Sequence, residues 1–235
     1  MARITRKELK ADKFALEVEH TVTLFEEHRQ EIVRYGGIAV VIVLFIVGFF
    51  FYRQRQHSAR EAALGRAMQV ADTPVGAPQP GSTTISSFPT EQVKDQAVAK
   101  VFTDLKNQYP GTTEGVIAEY FLGAQQANEG KLADAEKNLQ DVAAKGDVRY
   151  GSLAKLSLGE VYFAQGKIDQ GKKVLEDLAA HPTLFVSKEQ AQLTLARDLI
   201  PVRPEEARKI LDGLRNTPGA TSQVALTLYG QLPPQ

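Results

Sequence analysis

The side chains that most often bind metals or carry catalysis are sparse in this 235-residue chain and do not cluster. The histidines are His20, His28, His57 and His181, and there is no cysteine to complete a zinc site or to form a disulfide. His20 and His28 lie about two helical turns apart, which is too far for both to bind one metal ion directly. The sequence therefore predicts no metal and no cofactor.

Motifs of enzymes and of nucleotide-binding proteins are also missing. The chain has no GxSxG nucleophile elbow, no phosphate-binding P-loop and no GxGxxG fingerprint. Its carboxylates are scattered over polar helix faces, where solvation is the usual role. The 28 basic and 28 acidic residues balance, whereas a nucleic-acid-binding domain usually carries a basic excess. We therefore expect a protein with no catalytic residues and no nucleic-acid partner.

The most distinctive segment is an uncharged run from Tyr35 to Tyr52. As a helix these 18 residues rise about 27 Å, close to the roughly 30 Å hydrocarbon core of a bilayer. Tyrosine at each end suits the membrane–water interface, and Arg34 and Arg53 close the run. Residues 35–52 are therefore predicted to form a transmembrane helix.

This helix is expected to remain as an anchor, because 34 residues precede it and no small-x-small cleavage site follows it. The basic residues on either side of this helix do not decide its orientation in the membrane. The near arginines are Arg29 and Arg34 on the N-terminal side, and Arg53, Arg55, Arg60 and Arg66 on the C-terminal side. Read literally, the positive-inside rule places the C-terminal part in the cytoplasm, but long domains cross membranes largely regardless of charge.

Residues 1–34 form a polar tail with a helical pattern. Its apolar stripe consists of Phe14, Val18, Val22, Phe25 and Ile32. The simplest interpretation is a solvated amphipathic helix ahead of the membrane, and basic residues near its start could instead contact anionic headgroups. Val22 and Phe25 could also pair with a partner helix or a second copy, which leaves a homo-oligomer possible.

Beyond the anchor the sequence repeats with a period of 36 residues. Leu122-Gly123 corresponds to Leu158-Gly159, and Gly130 corresponds to Gly166. Further matching pairs are Ala135 with Gly171, Leu139 with Leu175, Asp141 with Asp177, and Ala143-Ala144 with Ala179-Ala180. A weaker third copy continues through Ala207, Leu211 and Leu214.

Each repeat is predicted to be a pair of helices joined by a tight turn. Gly130 and Gly166 end the first helices, Gly123 and Gly159 allow close helix approach, and Leu139 lies on the buried face of a second helix. Because one hairpin cannot bury its own apolar face, the copies should stack. The predicted fold is an all-α solenoid over residues 53–235, with a flexible loop at 72–89 and a terminal helix over 221–232.

These positions resemble the tetratricopeptide repeat, with its leucine-glycine pair followed by a tyrosine, a glycine, and then alternating small and large apolar positions. Tyr162 occupies the tyrosine position in the second copy, but Gln126 departs from it in the first. The family's tryptophan position holds Glu119 and Lys155, so the repeat is degenerate. The resemblance implies a non-catalytic module that binds protein partners.

Repeats of this family usually present their first helices on a concave surface. When the family's concave-surface positions are transferred to this sequence, they predict a protein-binding groove. Its lining residues are Tyr120, Ala124, Ala127, Asn128, Leu156, Glu160 and Phe163. Tyr120 and Phe163 are the expected anchors, because aromatic side chains dominate contact energies. Packing between the helices is the alternative role for both.

The junction from Phe51 to Ala63 resembles the ancillary SecYEG translocon subunit family (YfgM-like). This resemblance implies a single-pass inner-membrane protein with a cytoplasmic N-terminus and a periplasmic repeat domain. Its implied partners are SecYEG, emerging secretory chains and periplasmic chaperones. A cytoplasm-facing adaptor for soluble proteins and a structural oligomeric subunit remain the alternatives.

Overall fold

The computed structural model describes residues 29–76 and 87–234. The predicted amphipathic pattern before Arg29 and the middle of the predicted 72–89 loop lie outside these residues. The described part contains nine α-helices and no extended strand, and only an isolated bridge joins Val75 to Phe88. The helices are α1 Arg29–Asp72, α2 Glu91–Gln108, α3 Thr113–Asn128, α4 Leu132–Lys145, α5 Val148–Ala164, α6 Ile168–Ala180, α7 Lys188–Leu199, α8 Pro204–Leu214 and α9 Ala220–Tyr229.

The chain divides into two units, one ending at Ala59 and the other beginning at Arg60. The described part of the first unit consists of the N-terminal portion of α1. This portion is long and apolar enough to cross a membrane, and none of the apolar run is buried inside the protein. Phe45, for example, is 76% exposed. Such exposure distinguishes the run from the core helix of a water-soluble domain, whose apolar side chains would be covered.

The second unit is the predicted stack of helical hairpins. Residues 60–72 of α1 pack with α2 around Ala67, Phe102 and Leu105. The following pairs are α3 with α4, α5 with α6, and α7 with α8, and each helix also packs against the next along the chain. Helix α9 closes the stack by packing on α7 and α8, burying Ala225 and Leu228 and leaving Val224 and Leu226 exposed.

The glycines that end the first helices occupy left-handed backbone conformations. Gly130 and Gly166 both have φ of +75°, a region that residues with a Cβ rarely adopt. The amide of Lys131 donates to the Gln126 carbonyl at 2.8 Å, and that of Lys167 donates to Tyr162 at the same distance. These bonds satisfy carbonyls that the helix ends leave without partners. The two turns are therefore equivalent in geometry, as the period of 36 predicts.

The leucine-glycine pairs mark where the two helices of a hairpin touch most closely. A Cβ added at Gly123 would lie 3.0 Å from Leu139 Cγ, and one added at Gly159 would lie 2.6 Å from Leu175 Cγ. Leu139 and Leu175 are both fully buried. The absence of a side chain at each glycine therefore lets a leucine of the second helix pack directly on the backbone of the first.

A polar network replaces the missing aromatic residues of the first repeat. Lys106 Nζ lies 2.7 Å from Glu119 Oε1 and donates to Asn138 Oδ1 at 2.6 Å. The amide of Asn138 donates in turn to Gln126 Oε1 at 2.7 Å. Glu119 and Asn138 are buried, so these contacts satisfy polar groups that would otherwise be costly inside the stack. The two departures from the repeat pattern, Glu119 and Gln126, thus belong to one network.

We predict that Gly159→Ala lowers stability by about 1–3 kcal/mol, because the new methyl group overlaps Leu175 and forces the helices apart. Gly213→Ala is the matched control, since Gly213 is helical, exposed and has open space at its Cβ position. That control should raise stability by about 0.5–1 kcal/mol, because alanine favours helix over glycine. Urea unfolding of the detergent-solubilised chain, followed by circular dichroism, measures both. Equal effects of the two substitutions would contradict the close-packing argument.

Candidate protein-binding groove

A small cavity, open to solvent, lies between α3 and α5, the first helices of two neighbouring repeats. Its volume is about 310 Å³. The lining residues are Ala124, Ala127, Asn128, Leu132, Ser157, Glu160, Val161 and Ala164. Alanine and serine form much of the wall because the repeat places small residues on this face, and the resulting space is large enough for an apolar side chain of another polypeptide.

Four of the seven residues expected in the groove meet at this cavity. Ala124, Ala127 and Asn128 come from the last two turns of α3, and Glu160 comes from α5. Ala164 also lines the cavity, although it is not among the seven predicted residues. Ala164 lies 36 residues after Asn128, so the repeat period itself was the signal that could have identified it.

Tyr120 lies among aromatic side chains rather than at the cavity wall. Its ring packs edge-to-face against the rings of Phe121 and Tyr150. The centroid distances are 5.4 Å to Phe121 and 5.7 Å to Tyr150. Burial raises the pKa of the Tyr120 hydroxyl above its usual value, with a hydrogen bond to Ser157 acting in the opposite direction. Tyr120 therefore ties α3 to α5 and is only partly accessible.

Leu156 and Phe163 are directed towards the interior of the stack. Leu156 packs against the buried cluster that contains Leu178 and Val186. A Cβ on Gly171 would lie 2.6 Å from Phe163 Cδ2, so the phenyl ring rests directly on that glycine of α6. This placement supports the packing role that the sequence argument left open for Phe163.

A charged group links α5 to α7 beside the cavity. Arg197 donates to Glu160 Oε1 through Nη2, and to Asp198 Oδ1 through Nε at 2.9 Å. Burial raises the pKa of the Asp198 carboxyl, and the bond from Arg197 opposes this shift. Arg197 lies in the third repeat, which has no leucine-glycine pair, so the repeat positions gave no signal for it. Glu160 is therefore held by a partner rather than free in the groove.

The geometry suits recognition of a polypeptide. The alanines provide apolar contact, and the exposed amide of Asn128 offers both a donor and an acceptor for a peptide backbone. Among the residues that the structure describes, no group of three or more histidine, aspartate or glutamate side chains is placed to hold a metal ion.

We predict that Phe163→Glu lowers the unfolding midpoint, because it replaces a partly buried ring that packs on Gly171 with a carboxylate. Ala164→Glu is the matched control, since it adds the same charge at the next residue, which is exposed. Thermal unfolding by circular dichroism should show a fall of several degrees for the first variant and little change for the second. An unchanged midpoint for Phe163→Glu would mean that its ring is available to a partner instead.

Comparison with known proteins agrees with this architecture. The family model of the tetratricopeptide repeat-like domain matches residues 30–191, from the start of α1 into α7. Neither curated proteins nor solved structures gave a significant match. Domains of this kind are typically non-catalytic modules that bind other proteins. Because the match covers most of the chain, the protein belongs to the tetratricopeptide repeat-like domain family.

Proposed function

We propose that this protein is a membrane-anchored scaffold whose groove binds polypeptide segments of its partners. The observation that carries the proposal is the joining, in one chain, of an exposed apolar helix and a tetratricopeptide repeat-like stack. The cavity at Ala124, Asn128 and Ala164 is the proposed contact site. An anchor at the N-terminal end would confine this binding surface to the neighbourhood of a membrane.

We further propose that the partners belong to protein secretion. In this proposal the stack faces the periplasm as an ancillary part of the Sec translocon, and binds secretory chains or passes them to chaperones. Support comes from the resemblance of the segment Phe51–Ala63 to the YfgM-like ancillary subunits. A cavity lined mainly by small and apolar side chains, with the amide of Asn128 among them, suits this role, because it would hold a chain through apolar and backbone contacts.

A cytoplasm-facing adaptor is the second candidate. The excess of arginine on the C-terminal side of the apolar run, from Arg53 to Arg66, favours it. In that arrangement the same groove would recruit soluble proteins to the membrane. Orientation therefore separates the two candidates.

We predict that Ala144→Cys is labelled in intact bacteria by a thiol reagent that cannot cross the inner membrane. Ala144 is exposed on α4, and the chain has no other cysteine to label. Ala11→Cys, before the apolar run, is the reciprocal control and should react only after the inner membrane is opened. The reverse pattern would place the stack in the cytoplasm and make the adaptor the better candidate.

We predict that a photo-crosslinking amino acid at Asn128 forms adducts with SecYEG subunits or with a secretory chain stalled during export. The same amino acid at the exposed Ala144, on a second helix, provides the matched control and should give far fewer adducts. Ala164→Trp should reduce the Asn128 adducts, because the indole fills the cavity. Equal adducts from Asn128 and Ala144, or none with Sec components from either site, would refute the Sec proposal.

A further inference from the structure

A short turn between α6 and α7 displays two large apolar side chains to solvent. Leu184 is 96% exposed and Phe185 is 44% exposed. The turn itself is well held: the Thr183 amide donates to the Val186 carbonyl at 2.9 Å, and the Val186 amide donates to Thr183 Oγ1 at 3.1 Å. Val186 is fully buried beneath them. Leu184 is therefore held in an exposed position by a fixed turn.

The first residue of α5 is another exposed apolar residue. Val148 lies 36 residues before Leu184 and is 73% exposed. Thr183 Oγ1 donates to Ser152 Oγ at 3.0 Å, which places the turn beside the first residues of α5, where Val148 lies. Val148, Leu184 and Phe185 thus form one set, which we term the apolar tips, at a single end of the stack.

The same end of the stack contains the residue with which the second unit begins. Arg60 Nε lies 3.4 Å from Glu114 Oε2, at the start of α3. Because each second helix returns antiparallel to the first, the starts of α3, α5 and α7 share one end. Only residues 53–59 separate Arg60 from the apolar run in the sequence.

Charge at the apolar tips is largely balanced. Lys145 lies 3.4 Å from Asp141, and Arg149 lies 2.7 Å from Asp147. An electrostatic attachment to anionic lipid would instead need a cluster of unpaired basic side chains. Any contact that this end makes with a bilayer is therefore expected to depend on apolar burial and to occur on zwitterionic lipid.

We propose that the apolar tips insert into the interfacial region of the bilayer in which the chain is anchored. The inference rests on the proposed membrane anchor and is independent of the orientation of the protein and of the identity of its partners. Leucine and phenylalanine suit this region, where apolar groups of peripheral segments enter by about 5–10 Å. In the sequence, seven residues, 53–59, connect this end of the stack to the apolar run.

The test uses the full chain reconstituted, one copy per nanodisc, in phosphatidylcholine. Leu184→Cys carries an environment-sensitive nitrobenzoxadiazole label, and some lipids carry a nitroxide near the glycerol backbone. Val202→Cys is the matched control, because Val202 is 47% exposed but lies at the opposite end of the stack, in the turn after α7. The label at 184 should be blue-shifted and quenched several-fold more strongly than that at 202.

A second variant separates insertion from simple proximity. With the label on Val148→Cys, the changes Leu184→Ser and Phe185→Ser together should reduce quenching, because the remaining tips no longer provide enough apolar surface. Raising the salt concentration should leave quenching unchanged. Equal quenching at 184 and 202 would overturn the inference, and so would a blue shift at 184 without nitroxide quenching, which would mean that protein covers the turn.

A separate measurement tests whether the chain is anchored in the membrane at all. Vesicles carrying the chain are washed with carbonate and floated before labelling. Loss of the chain in the wash would refute the membrane anchor and the inference together. Retention with an unquenched label at 184 would refute insertion alone, and crosslinking from Asn128 would still test the groove.

Discussion

The close contact between the two helices of each hairpin is the constraint on which the stack depends. At Gly159 the backbone of α5 meets Leu175 of α6, leaving no room for even a methyl group. The neighbouring Gly171 receives Phe163 in the same way. Small residues are needed because each helix must pack on its hairpin partner and on the next repeat at once. The positions of the helices, and hence the shape of the cavity beside Ala164, follow from these contacts.

Hairpin α3–α4 packs on α2 with different chemistry from that with which hairpin α5–α6 packs on α4. Positions 36 residues apart hold Lys106 and Val142, Gln126 and Tyr162, and Asn138 and Val174. The earlier member of each pair belongs to the polar network, whereas Val142 and Tyr162 belong to an apolar core cluster. A satisfied polar network requires all its members at once, so it can fix a specific helix arrangement where apolar packing tolerates substitution. The degenerate sequence of the first repeat is thus compatible with regular geometry.

The cavity and the apolar tips are formed by different parts of the repeat. Residues on the first helices, such as Asn128 and Ala164, form the cavity that we propose binds polypeptide. Residues in the turns that precede these helices, such as Leu184, form the apolar tips that we propose contact lipid. Because these surfaces do not share residues, a scaffold of this design could contact a membrane at one end while its groove remains open to a partner.

The sequence alone determined the elements of the fold, because its information is local and periodic. The apolar run, the turn glycines Gly130 and Gly166, and the period of 36 predicted an apolar helix and a stack of hairpins, and the structure confirms both. The sequence placed only four of its seven groove residues beside the cavity, since spacing gives the face of a helix but not which side chains on that face a neighbour covers. Tertiary packing decided that Phe163 rests on Gly171 and that Arg197 reaches Glu160 from another repeat. Both contacts join side chains from different helices, so they depend on how the helices pack and only the folded chain specifies them.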